Sequence, residues 1–211
     1  MYKAVLFDLD GTIVDSSEGI LKATKETLEK LGTDIPTDDQ IRSCIGPPIG
    51  ETLGTMLGFS EMDKTRFYEV FRPIYRDKYL FQCSLYPDVV SLLRELRING
   101  CLIGIATNKR IDTTKLLLNH LGIIDLFDVI VAQDRDEIRN KSDMILDSLS
   151  NLKVECGNAV MIGDAQNDLD AAMNAGVDFI GVRYGFGFKN PIDNNIKLVD
   201  SIVDLSELLL D

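Results

Sequence analysis

The chain holds a single histidine, four scattered cysteines and few positive charges: 22 lysines and arginines stand against 34 aspartates and glutamates, a formal net charge of −12. Without a basic stripe there is no footprint for a nucleic-acid polymer. Cys44, Cys83, Cys101 and Cys156 form no Cys-x-x-Cys pair, which argues against a zinc site or disulfide framework and for a reduced, cytoplasmic protein. His120 precedes Gly122 near the end of a helical stretch, where a basic residue suits the helix dipole and needs no catalytic part. No segment reaches the roughly 18 apolar residues of a membrane span, and Asp8 and Asp10 interrupt the only early apolar run, so neither a membrane nor a secretory leader is expected. No Gly-Lys pair occurs, which removes a Walker-type phosphate loop. The glycine-rich stretch from Gly181 to Gly187 lacks the spacing of a dinucleotide fingerprint and is expected as a loop beside the site.

What is present is concentrated at strand ends. Ala4-Val5-Leu6-Phe7 is a short buried strand, and Asp8-Leu9-Asp10-Gly11-Thr12 follows it. Strand geometry would put Asp8 and Asp10 on one side of the chain, and Gly11 permits a sharp exit. Two carboxylates this close are costly unless a cation sits beside them, so the pair predicts a metal, with hard oxygen ligands favouring magnesium or calcium. An EF-hand loop fails on spacing, because its closing glutamate would fall on Gly19. An Asx-turn that merely holds the loop is the plain alternative.

At 45% hydrophobic and 27% charged residues, the 211-residue chain reads as globular, with one large domain or a core carrying an insertion. Four more strands are expected at Cys101 to Ala106, Val129 to Ala132, Ala159 to Gly163 and Phe179 to Val182, alternating with helices at Thr113 to Leu121 and Ser142 to Leu152. Unalternating apolar strands separated by helices predict a parallel sheet, an α/β fold with a Rossmann-like three-layer core. Residues 16 to 80 break the rhythm with helices only. Ser17 caps one that stops at Gly32, a Thr37/Gln40 capping box opens a second, Ile49 to Leu57 is a third, and Glu61 to Tyr79 a fourth kinked at Pro73. This stretch is read as an inserted all-helical cap domain on a core of residues 1–15 and 81–211. The Gly46-Pro47-Pro48 turn should face the substrate.

In open α/β sheets ligands sit beyond the carboxyl ends of the strands. There this sequence offers Asp8 and Asp10, then Thr107-Asn108, then Lys141, then Gly163-Asp164 through Asp168. These four segments, in this order, resemble the motifs of the haloacid-dehalogenase-like hydrolase superfamily over essentially the whole chain. The resemblance implies a magnesium-dependent phosphatase: Asp8 as nucleophile, Asp10 as general acid and base, and the metal on Asp8, the Asp10 carbonyl and Asp164. It gives Thr107, Asn108 and Lys141 to the phosphoryl group, and Asp168 to orienting Lys141 or a metal-bound water. Lys141-Ser142 departs from the family's frequent Lys-Pro. Asp10 speaks against the dehalogenating and phosphonate-cleaving branches, and the lack of histidine in Asp15 to Lys25 speaks against hexose-phosphate mutases. Asp15-Ser16 and Ile45-Gly46-Pro47-Pro48 look most like the phosphoglycolate-phosphatase-like and 5′-nucleotidase-like group. The expected partner is a small phosphorylated metabolite such as phosphoglycolate, a nucleoside monophosphate or pyrophosphate, and the expected state a monomer or homodimer. A mutase and a non-catalytic phospholigand-binding protein are the alternatives.

Overall fold

The computed structural model describes residues 1–134, 139–188 and 196–210. In chain order, β1 (Ala4–Phe7) and β2 (Val14–Asp15) precede four helices, α1 (Ser17–Leu31), α2 (Asp38–Arg42), α3 (Ile49–Leu57) and α4 (Glu61–Ile74). A π-helical turn, Tyr75–Tyr79, leads to β3 (Ser84–Leu85) and α5 (Val89–Ile98). Then follow β4 (Leu102–Arg110), α6 (Ile111–His120), β5 (Val129–Gln133), α7 (Lys141–Leu152), β6 (Ala159–Gly163), α8 (Gln166–Ala175), β7 (Asp178–Val182), β8 (Lys197–Val199) and α9 (Ile202–Leu210).

Six strands form one parallel sheet ordered β5-β4-β1-β6-β7-β8. The order reverses direction at β1, so the crevice that such a sheet offers a ligand opens beyond the end of this strand and its neighbours. β1 is buried along its length because its side chains feed both faces. Val5 and Phe7 join Ile103 and Ile105 in one apolar cluster, whereas Ala4 and Leu6 join Met144 and Ile145 in the other. Helices thus cover both sides, the arrangement that unalternating strands require.

The structure departs from the sequence-based expectation in several places. The sheet gains β8, whose three residues carry too little pattern to stand out. β4 runs on to Arg110, so Thr107 and Asn108 lie within it and not after it, and its pairing with β5 slips between Thr107 and Arg110. Ser17 is the first residue of α1; the Asp15 side chain accepts the Ser17 N–H. The Thr37/Gln40 capping box and the left-handed Gly32 stop are as expected. Pro73 does not merely kink a long helix: the α-helix stops at Ile74 and widens into the π-helical turn. Proline lacks the N–H and crowds the carbonyl four residues back, which loosens the local register.

Residues 16–80 contribute no strand to the large sheet. α1 packs on α2, α4 and the π-helical turn, and α3 on α4. Where the chain leaves for this helical segment and returns from it, β2 and β3 pair antiparallel, Val14 opposite Leu85 and Asp15 opposite Ser84.

Candidate active site

Asp8 stands immediately beyond β1, nearly buried, and accepts a hydrogen bond at Oδ1 from Lys141 Nζ. Lys141 opens α7, where a cation opposes the helix dipole. Its position is therefore set by partners across the site: Asp8 and Asp168 Oδ1 both accept from its ammonium group. Asp168 divides its two oxygens. One holds Lys141, while Oδ2 accepts the N–H groups of Asp164 and Ala165, each at 3.1 Å, at the start of α8. Helix capping and site chemistry are carried by the same side chain.

Asp164, at the end of β6, is fully buried. Its Oδ2 accepts the Phe186 N–H at 2.6 Å and its backbone carbonyl accepts the Phe188 N–H at 3.0 Å. Its Oδ1 has no hydrogen-bond partner among the described residues. Oxygens of Asp8, Asp164 and Asp168 all lie within 4.8 Å of one another. Burial, against the pull of Lys141, pushes the Asp8 carboxyl up to about 7, with repulsion from Asp168 adding to the rise. Burial together with the Asp168 and Asp8 charges raises Asp164 well above the ordinary carboxylate range.

Among the described residues one lysine faces three buried carboxylates. The orphaned Asp164 oxygen and the all-oxygen donor set fit a hard divalent cation, and magnesium or calcium would satisfy them. The repulsion argument drawn from Asp8 and Asp10 as a pair is answered differently. Asp10 lies outside the acidic trio, the chain having left β1 after Phe7, and both its oxygens accept from Lys109 Nζ at 3.0 Å. The case for a metal therefore rests on Asp8 with Asp164 and Asp168.

Lys109 is a site residue that the sequence reading missed. It sits in the slip of the β4–β5 register, beside Asn108, and its ammonium also donates to the Tyr75 hydroxyl at 2.8 Å. Burial opposes its charge, but Asp10 and Tyr75 outweigh that and hold its pKa above the usual lysine value. Thr107 is buried, and its Oγ1 accepts the Lys109 N–H at 3.2 Å. Its place follows from register: Phe7 lies opposite Ile105, so Thr107 stands level with the segment after β1. On the other side the turn before α3 reaches the site, since a Cβ at Gly46 would lie 3.5 Å from that of Ala165, the residue after Asp164.

Residues 5–182 match the family model of the haloacid dehalogenase-like hydrolases. The chain belongs to the haloacid dehalogenase-like hydrolases. Among curated relatives, the tyrosine-protein kinase PtkA of Mycobacterium tuberculosis is 34% identical over 196 residues, 92% of this chain and 67% of that protein. The putative pyrophosphatase PpaX of Clostridium perfringens is 29% identical, covering 98% of this chain and all of that one. Among solved structures, a predicted phosphatase from Clostridium acetobutylicum superposes with a TM-score of 0.93 at 31% identity, over 100% of this chain and 99% of that one. This hydrolase thus shares its whole architecture with proteins described as phosphatases.

The loop Gly185-Phe186-Gly187 closes over Asp164 and was expected only as a neighbour of the site. A Cβ at Gly185 would lie 2.3 Å from that of Asp164 and 2.4 Å from the Gly11 carbonyl oxygen. Gly185→Ala must therefore move Asp164 or the loop. Overpacking of this kind costs about 1–3 kcal/mol, and in a metal site built on Asp164 its displacement would weaken metal binding by roughly 10–100-fold. A lowered melting temperature with a raised magnesium requirement is the expected result, read by thermal denaturation and by magnesium titration of activity. An unchanged magnesium requirement would contradict the proposed place of Asp164.

Proposed function

We propose that this hydrolase is a magnesium-dependent phosphatase of small phosphomonoesters, working through an aspartyl-phosphate on Asp8. The observation that carries the reading is the pairing of the two aspartates with different lysines. Asp8 is buried with one oxygen on Lys141 and the carboxylates of Asp164 and Asp168 beside it, while Asp10 is bonded to Lys109. These different surroundings support a nucleophile in Asp8 and a proton-handling group in Asp10.

Asp8 attacks phosphorus and the ester oxygen leaves, taking a proton from Asp10. Water then attacks the aspartyl-phosphate, Asp10 accepts its proton, and free phosphate and the Asp8 carboxylate are regenerated. Thr107, the backbone about Asn108, Leu9 and Asp10, and Lys141 bind the phosphoryl oxygens. Asp168 keeps Lys141 aimed at that group. Magnesium, held by Asp8, the Asp10 carbonyl and Asp164, would supply the positive charge that lets an anionic ester approach an anionic nucleophile.

In this reading residues 1–15 and 81–211 form the core and residues 16–80 a cap, hinged at β2 and β3, that shields the chemistry from water. Phosphoglycolate, nucleoside monophosphates and pyrophosphate are the candidate substrates. The four unpaired cysteines agree with a reducing compartment such as the cytoplasm. Among the described residues no helix is long and apolar enough to cross a membrane.

The test is phosphate release from a panel of phosphometabolites. Turnover should require magnesium, stop in excess chelator, and be inhibited by calcium, whose longer bonds and looser geometry misplace the nucleophile. Full activity in chelator would remove the metal from the mechanism. Little net phosphate release, together with a requirement for a bisphosphate activator, would point to a mutase. The PtkA relative raises one further reading, transfer of phosphate from a nucleotide to tyrosine. Phosphotyrosine formed from ATP, with no phosphate released from the panel, would favour that reading.

A further inference from the structure

Three groups meet away from the acidic trio. Asp10 lies in the loop after β1, Lys109 in the irregular end of β4, and Tyr75 at the start of the π-helical turn in the helical segment. Lys109 bonds both oxygens of Asp10 and the Tyr75 hydroxyl, and its ammonium lies 4.7 Å from the centre of the Tyr75 ring. The lysine side chain is only 6% exposed. A lysine this buried is held by the contacts it makes, and it has three directed donors to fill.

Tyr75 is itself fixed. Its ring stacks on Phe71 at 5.5 Å, and Phe71 on Phe67 at 5.3 Å, a column of three aromatic rings buried in the helical segment. The column aligns because the residues are four apart, on one face of the helix. The hydroxyl at its end therefore moves only with the segment as a body. Lys109 lies in the slip of the β4–β5 pairing, between Thr107 and Arg110.

We propose that Lys109 is a positioning residue that ties Asp10 to the helical segment through Tyr75, so that the carboxylate is aimed at the leaving group only while that segment is docked. The inference rests on the phosphatase reading above and assigns the contact through which segment and acid/base group act together. When the segment lifts, Tyr75 leaves, and Lys109 keeps Asp10 without a fixed anchor of its own. Chemistry thereby waits for closure.

The experiment compares wild type, Tyr75→Phe, Lys109→Met, Lys109→Arg and the Tyr75→Phe/Lys109→Met double variant. Substrates are p-nitrophenyl phosphate and the alkyl phosphomonoester that wild type hydrolyses fastest. A misplaced proton donor costs most where the leaving group needs the proton. Lys109→Met should lower kcat on the alkyl ester about 100-fold and on the nitrophenyl ester less than about 10-fold, with KM little changed. Tyr75→Phe should show the same preference on a smaller scale, Lys109→Arg should recover part of the loss, and the double variant should be no worse than Lys109→Met alone. Equal losses on both substrates, losses that multiply in the double variant, or a kcat for Lys109→Met within twofold of wild type would overturn the proposal. Should Lys109→Met not fold, Tyr75→Phe, which deletes one oxygen, decides by its substrate preference alone. Phosphoenzyme trapping on wild type separates the two readings: no Asp8 adduct removes the phosphatase mechanism, whereas an adduct with indifferent variants removes only the tie.

Discussion

Asp8→Asn is expected to leave turnover at background and to abolish the phosphoenzyme that mass spectrometry would otherwise map to Asp8. The amide keeps the size of the carboxylate and can still accept from Lys141, so the loss would report the nucleophile and not a collapsed site. The same substitution should stabilise the metal-free protein. In the fold the Asp8 carboxyl is pushed up to about 7 from 3.8, burial being the main cause. The folded state thus favours the protonated acid, and stability declines as pH rises from about 4 through 7. An asparagine carries no charge to desolvate, so its advantage in melting temperature should be clear at pH 8 and vanish near pH 4. An active Asp8→Asn, or phosphate trapped on another residue, would overturn the mechanism. A variant less stable than wild type at pH 8 would show that the ion pair with Lys141 outweighs burial.

Asp10→Asn should behave differently. Its carboxylate lies outside the acidic trio, and the proposed metal ligand there is the backbone carbonyl, so magnesium binding should persist. What is lost is proton transfer, worth roughly 10²–10⁴-fold. A nitrophenyl leaving group departs without much help, so the first step should be partly rescued with that substrate. Water attack would still lack its base, and the aspartyl-phosphate should accumulate. Single-turnover kinetics with trapping checks this: equal losses on alkyl and nitrophenyl esters, with no accumulation, would deny Asp10 its role. The substitution also leaves Lys109 buried against a neutral amide. Some loss of thermal stability is expected from that unpaired cation.

The sequence showed most clearly those parts of the site that are contiguous in the chain and tied to strand ends. Asp8 after Phe7 and Asp164 after Gly163 needed only the recognition of a buried strand and the residue beyond it. Lys141 and Asp168 are visible as residues and the family resemblance couples them, but their ion pair joins the first turns of two helices that no local pattern brings together. Lys109 stood one residue beyond the motif that was read. The apolar pattern of β4 ends at Ala106, before this residue, and its partnership with Asp10 depends on a slip in strand register that no periodicity records. Tyr75 lies among other aromatic residues of a helix, and only the widening after Pro73 and the ring column give its hydroxyl a direction. Gly185 was read as loop, since close approach to Asp164 leaves no local mark beyond the glycine itself. β8 is too short for any pattern to distinguish it.

The central place of β1 also bears on how the chain is made. This strand is made before its sheet partners, residues 102–105 on one side and 159–162 on the other. Until residues 102–105 have been made, four apolar residues must wait with both edges unpaired, an invitation to aggregate. Helices α1 to α4, whose contacts are local, can associate during that wait. Asp8 and Asp10, directly after the waiting strand, act meanwhile as gatekeepers against wrong pairing.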